Sequence, residues 1–250
     1  LDALSKLYDK RGDATQAIDF MTRVADLTGD SKQRVESYYR IGKALDEKLG
    51  DRVAAQDRYE MALDIDPAHV PSLAALRAIA MDNADYDKAA RLLDQEQQNT
   101  QGARQRARLL VELGNLREQT LGEHDGAVTA WEAAVAADEE NEDAALPLGN
   151  HYVETQAWEK AEPLFDLLVR KSGKRERTEQ HDLQNKLGQV CAALGKDDKA
   201  LKAYTAAHQL DITDQVTIKG LAEVSFRLKD WGNALTNYQK VLTALAEDET

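Results

Sequence analysis

Residues 38–67 read YYRIGKALDEKLGDRVAAQDRYEMALDIDP, and the spacing within them decides the fold. Tyr38, Ile41, Gly42 and Leu45 stand three or four apart, as do Ala55, Tyr59 and Ala62, and Pro67 closes the stretch. Residues at those offsets share one face of an α-helix, so the segment holds two amphipathic helices. Gly50-Asp51 breaks the first helix, and its acidic residue can cap the second. Small Gly42 and Ala55 let the helices approach closely, so that bulky neighbours such as Tyr59 interdigitate.

Working outward, the same frame recurs seven times. Clear copies read Leu113-Gly114 with Ala127, Trp131 and Ala134; Leu148-Gly149-Tyr152 with Ala161 and Phe165; and Leu187-Gly188-Cys191 with Ala200, Tyr204 and Ala207. Degenerate copies read Leu4-Ser5-Tyr8 with Ala17 and Met21, Leu76-Arg77 with Ala89 and Leu93, and Leu221-Ala222 with Ala234 and Tyr238. Turn signals fall at Gly12-Asp13, Ala84-Asp85, Gly122-Glu123, Gln156-Ala157, Gly195-Lys196 and Lys229-Asp230. The repeats are approximately 1–30, 35–68, 70–102, 106–140, 142–173, 181–213 and 215–247, in one array over 1–250.

The second-helix alanines, 17, 55, 89, 127, 161, 200 and 234, are separated by 38, 34, 38, 34, 39 and 34 residues. This alternation implies a duplicated two-repeat unit. Three to five extra residues make about one helical turn at ~3.6 residues each. The first helices of repeats two, four and six are therefore predicted to be a turn longer, or to follow a longer loop.

The Leu-Gly, Tyr, Ala, Phe, Ala and Pro pattern resembles the tetratricopeptide repeat family over nearly the whole chain. The resemblance implies an all-α, right-handed superhelical solenoid of antiparallel helix pairs, with a concave groove lined by the first helices. It also implies a non-catalytic scaffold or adaptor that binds another protein or a peptide. On the first helices the implied lining includes Tyr39, Arg40, Lys43, Asn115, Asn150, Asn185, Lys186 and Gln189. Asn115, Asn150 and Gln189 could form an amide ladder that grips an extended backbone. A subclass of the family grips chaperone C-terminal carboxylates with a Lys, Asn, Asn, Lys, Arg clamp. Here Val111 and Leu146 stand where Lys is required, and Lys219 is followed by Glu223 where Asn belongs, so that reading is rejected.

The inserts before the even repeats carry cations: Lys32 and Arg34; Arg104, Arg106 and Arg108; Lys174, Arg175 and Arg177. Cations at a helix start oppose the macrodipole by roughly 0.3–1 kcal/mol each, so their recurrence needs a reason. Either they pair with acidic residues of the preceding helix, or they form a basic edge for an acidic partner. Two other functions remain open: a structural spacer that self-associates weakly through its end repeats, and a regulatory array of a larger enzyme.

Composition narrows the field. The chain has 250 residues and a net charge of −13, which disfavours nucleic acid as a partner. Mean hydropathy is −0.59, and no apolar run approaches the ~20 residues of a spanning helix. The single Cys191 excludes an internal disulfide and any Cys-x-x-Cys motif. His69, His124, His151, His181 and His208 include no pair at metal-ligand spacing, and Cys191 sits where a side chain points into its helix pair, so no cofactor or metal is implied. Asp138-Glu139-Glu140 and Glu247-Asp248-Glu249 read as solubilising turns and ends. The chain opens at Leu1-Asp2-Ala3-Leu4, inside an amphipathic pattern, and reads as a segment of a longer cytoplasmic, bacterial protein.

Overall fold

The computed structural model describes residues 13–248, and the first helix of repeat one, with Leu4, Ser5 and Tyr8, lies outside them. The chain divides into two compact units, residues 1–138 and 139–250. All regular structure among the described residues is helical. In the first unit α1 (Ala14–Leu27), α2 (Ser31–Ala44), α3 (Arg52–Ile65), α4 (Val70–Asp82), α5 (Tyr86–Asn99), α6 (Ala103–Leu116) and α7 (His124–Ala137) each pack on the next. The second unit stacks α8 (Glu142–Glu154), α9 (Trp158–Lys171), α10 (Arg177–Ala193), α11 (Asp197–Leu210), α12 (Gln215–Arg227) and α13 (Trp231–Asp248) in the same manner.

The turn residues act as the sequence predicts in four of the seven connections. Asp13, Asp51, Asp85 and Asp230 each accept a backbone N–H of the following helix through a side-chain oxygen. Such a cap satisfies one of the orphan donors at a helix start, worth about 1 kcal/mol.

Helix lengths alternate as the spacing predicts. α2, α6 and α10 begin at Ser31, Ala103 and Arg177, eleven residues before Gly42, Gly114 and Gly188. α4, α8 and α12 begin at Val70, Glu142 and Gln215, only seven residues before Arg77, Gly149 and Ala222. The difference is about one turn. A second irregularity goes beyond that expectation. Gly42 to Ala55 and Gly114 to Ala127 span 13 residues, against 12 in the other repeats. The surplus residue is absorbed by π turns at Leu45–Leu49 and Arg117–Leu121, the wider coil that accommodates a one-residue insertion. Both end on left-handed glycines, Gly50 at φ 66° and Gly122 at φ 68°.

The interiors are made by the repeat frame itself. Ala17, Ala55, Ala89, Ala127, Ala161 and Ala200 are fully buried, and Gly42, Gly114, Gly149 and Gly188 face the rings of Tyr59, Trp131, Phe165 and Tyr204. A Cβ at Gly42 or Gly188 would come within 2.7 Å of the facing tyrosine ring. Burial pushes the Tyr59 hydroxyl up to about 12, helped by the Asp46 charge, and burial does the same for Tyr204, to about 12. Burial likewise pushes the Cys191 thiol up to about 11. The fold holds the neutral form of all three. The contribution of the two tyrosines to stability is therefore complete below their ordinary value of 10 and is lost as pH rises through about 12, and that of Cys191 is complete below 9 and lost as pH rises through about 11. In an alkaline titration, Tyr59 and Tyr204 should ionise, by ultraviolet absorbance, only as helical circular dichroism collapses. Titration of these two near 10 with helicity intact would show their rings to be hydrated.

Candidate functional site

Each sequence-predicted residue is placed within its own unit. In the first, Tyr39 is half-buried, its ring 5.9 Å from Tyr59 and edge-on to His69 at 5.5 Å, so its packing role dominates. Arg40 and Lys43 are exposed one turn apart, and Lys43 pairs with Glu47 at 3.7 Å. The Asn115 Oδ1 accepts the Trp131 indole N–H at 3.2 Å. This bond fixes the indole over Gly114.

The second unit gathers more of them. Asn150 on α8 accepts a hydrogen bond from the Lys186 Nζ on α10, joining the first helices of consecutive repeats. Beside this bond lies a cavity of about 230 Å³ lined by Leu146, Asn150, Arg175, Glu179, Asp182, Leu183 and Lys186. Leu146 and Leu183 supply apolar wall, and charged groups of both signs supply the rest. Arg175 is anchored there by Glu142 at 2.7 Å and Glu179 at 3.8 Å. Asn185 donates to the Asp214 carboxylate at 3.2 Å, and Gln189 is exposed one turn beyond Asn185.

Sequence reasoning did not single out Glu179, Asp182 or Leu183. Glu179 stands on the turn by which α10 exceeds α8 and α12, so for it the uneven repeat period was the available signal; Asp182 and Leu183 stand just after that turn on the same helix. The long first helix of repeat six thus builds one wall of the cavity.

The cations of the inserts divide by what they touch. Arg175 pairs with acidic side chains, Arg106 donates to Gln97 on the preceding helix at 3.1 Å, and Arg177 donates to the carbonyls of Gln209 and Leu210. The last arrangement puts a positive charge on the open C-terminal end of α11, where the helix dipole favours it. Arg34 is half-buried, with its Nε unbonded. Lys32, Arg104, Arg108 and Lys174 are exposed.

The His181 Nδ1 lies 3.1 Å from Asp182 and its Nε2 lies 3.3 Å from the Thr217 hydroxyl, a sequence of groups reminiscent of a nucleophile, base and acid. Thr217 is fully buried, however, and its hydroxyl donates to Asp214 at 2.5 Å, so the trio closes the start of α12. Cys191 is fully buried. Among the described residues no cluster of His, Cys, Asp or Glu could hold a metal ion. None of the described helices is long and apolar enough to cross a membrane.

Stacked helix hairpins, a Gly facing an aromatic ring four residues past a buried Ala, and a 34-residue basal spacing define a tetratricopeptide-like helical repeat array. Residues 35–69, repeat two, match the model of the tetratricopeptide repeat family. Among solved structures, a point mutant of MamA is 20% identical, with a TM-score of 0.51, over 71% of this chain and 98% of its own. MamA AMB-1 is 19% identical, with a TM-score of 0.50, over 71% and 92%. YrrB, described as a TPR protein with an unusual peptide-binding site, is 15% identical with a TM-score of 0.50, over 79% of this chain and 95% of its own. At these identities the likeness is one of fold. No curated protein sequence matches the chain.

Proposed function

We propose that this chain is a non-catalytic protein-interaction scaffold that holds an extended peptide on the first helices of its second unit. The observation that carries this reading is the cavity between α8 and α10. It combines apolar wall from Leu146 and Leu183 with the hydrogen-bonding heads of Asn150 and Lys186. That combination suits a peptide: one apolar side chain enters, while the Asn150 Nδ2 and Lys186 Nζ donate to main-chain carbonyls beside it. The peptide-binding site named for YrrB agrees with such a use of this fold. In the first unit Arg40, Lys43 and Asn115 offer a surface of their own, and in the second Asn185 and Gln189 stand on the same helix as Lys186. Exposed Lys32, Arg104 and Arg108 support a basic contact for acidic segments in the first unit, and exposed Lys174 supports one in the second.

A random peptide library displayed on phage, selected on the parent chain, provides the test. Selected peptides should bind Asn150→Ala/Lys186→Glu at least tenfold more weakly, with thermal melting unchanged, because both side chains are partly exposed. Equal binding to both proteins would remove this cavity from the function.

A further inference from the structure

Repeats two and six hold equivalent places in the duplicated pattern, and each has a corner between the start of its long first helix and the end of its second. Arg177 is the first residue of α10 and stands eleven residues before Gly188, and Ser31 is the first residue of α2 and stands eleven before Gly42. α11 ends on Gln209 and Leu210, and α3 ends on Asp64 and Ile65, at the same distances past the buried Ala200 and Ala55. The chain then turns alike in both. Asp211 and Asp66 are extended, and their N–H groups donate to the Ala207 and Ala62 carbonyls. Each carboxylate accepts the N–H two residues on, from Thr213 at 2.8 Å and from Ala68 at 3.1 Å.

The two corners differ in what fills them. In repeat six the Arg177 guanidinium does so, its Nε donating to the Leu210 carbonyl at 2.8 Å and its Nη2 to the Gln209 carbonyl at 3.1 Å. These are among the last four carbonyls of a helix, which no helical N–H reaches, and the planar fork satisfies two of them at the negative end of the dipole. In repeat two a serine hydroxyl does not span that distance, and the corner is a cavity of about 460 Å³, within the range of small-ligand sites. Val35 and Ile65 give it an apolar wall. Two carboxylates, Glu36 and Asp66, stand on its lining against one cation, the exposed Lys32. A helix C-terminus, excess negative charge and an apolar wall together match a guanidinium, which is cationic, carries only donors and is weakly hydrated on its flat faces.

We propose that the cavity between the first turn of α2 and the end of α3 binds a guanidinium group brought by another molecule. Its donors meet the Asp64 and Ile65 carbonyls and its charge faces Glu36 and Asp66, as Arg177 is held within repeat six. An arginine of a partner protein and a small free guanidinium compound both carry this group. The site lies in the first unit and does not rest on the peptide cavity between α8 and α10. Titration of the whole chain with acetyl-Gly-Arg-Gly-amide, followed by amide chemical shifts in nuclear magnetic resonance, should perturb residues 31–36 and 64–69. The citrulline peptide, alike in shape but uncharged, and the lysine peptide should bind roughly tenfold more weakly. Agmatine, tested alongside, separates the sources: affinity equal to that of the arginine peptide assigns the site to a free guanidinium compound, and weaker affinity assigns it to a protein arginine. Ser31→Arg supplies the group from the chain itself, so it should melt no earlier than the parent and lose the probe, while Ser31→Ala should bind as the parent does. Should Ser31→Arg lose helicity, Glu36→Lys, at an exposed position, carries the comparison and should bind roughly tenfold more weakly. No perturbation by either arginine peptide or agmatine, equal binding of the citrulline peptide, or a folded Ser31→Arg that still binds would each overturn the proposal.

Discussion

Replacing Arg77 with Ala is expected to cost about 3–5 kcal/mol, seen as an earlier denaturation transition of the first unit, because it leaves the Glu96 carboxylate buried without a counter-charge. Arg77 stands where the repeat frame otherwise places Gly42, Gly114, Gly149 and Gly188. In those repeats the residue four past the buried Ala is aromatic and lies over the Gly. In repeat three the corresponding residue is Leu93, and Arg77 reaches acidic partners instead of facing a ring. The Arg77 Nε donates to Glu96 on α5 at 2.8 Å, and its Nη1 donates to Glu112 on α6 at 2.6 Å. The Glu96 side chain is only 5% exposed, so its charge depends on that one cation, whereas Glu112 keeps contact with water. Removing both buried partners should behave differently from removing one. In Arg77→Leu/Glu96→Leu most of the lost stability should return, since apolar residues of similar volume often replace a buried pair at no net cost. Chemical denaturation of the parent, Arg77→Leu, Glu96→Leu and Arg77→Leu/Glu96→Leu measures the coupling directly. A cost below about 1 kcal/mol for Arg77→Ala would mean that Glu96 finds water or protonates, and that the network is incidental.

The same position shows what the sequence could and could not convey. Helix pairing, the alternation of helix length and four of the caps were legible because each depends on local spacing or on a residue next to a turn. At Arg77 the repeat frame indicated only a lapse in the pattern, since its acidic partners are 19 and 35 residues away and no local rule connects them. The π turns have a related origin. A 13-residue interval is visible in the sequence, but whether the extra residue becomes loop or wide coil depends on keeping Tyr59 and Trp131 over their glycines. At the candidate site, residue types were readable and pairings were not. Asn150 and Lys186 were both assigned to the lining, but their mutual hydrogen bond arises only when α8 and α10 stack. The basic inserts looked alike in sequence, yet Arg175 and Arg177 are tied into packing while Arg104 and Arg108 are exposed.

A second large effect is expected at Gly220, and its sign carries the argument. Gly to Ala inside a helix ordinarily stabilises, by about 0.5–1 kcal/mol, through reduced backbone entropy of the unfolded chain. On α12 the same change should instead cost about 1–3 kcal/mol through overpacking. A Cβ at Gly220 would stand 2.5 Å from the Tyr204 ring, and on the side of α10 a Cβ at Gly188 would stand 2.7 Å from the same ring. The ring is thus held between two helix backbones, and it cannot yield to a methyl on one without pressing on the other. The overpacking should be milder at Gly149, where the Phe165 ring would be 3.2 Å from the added carbon. Gly232→Ala supplies the control, because the nearest atom to its Cβ would be 3.9 Å away. Trimming the ring should then reverse the penalty: in a Tyr204→Leu background, itself less stable than the parent, Gly220→Ala should become neutral or stabilising. Thermal melting of the four proteins of this cycle decides the matter. A stabilising Gly220→Ala in the parent would show that Tyr204 has room to move, and with it that close approach of backbone to ring is not what spaces α10, α11 and α12.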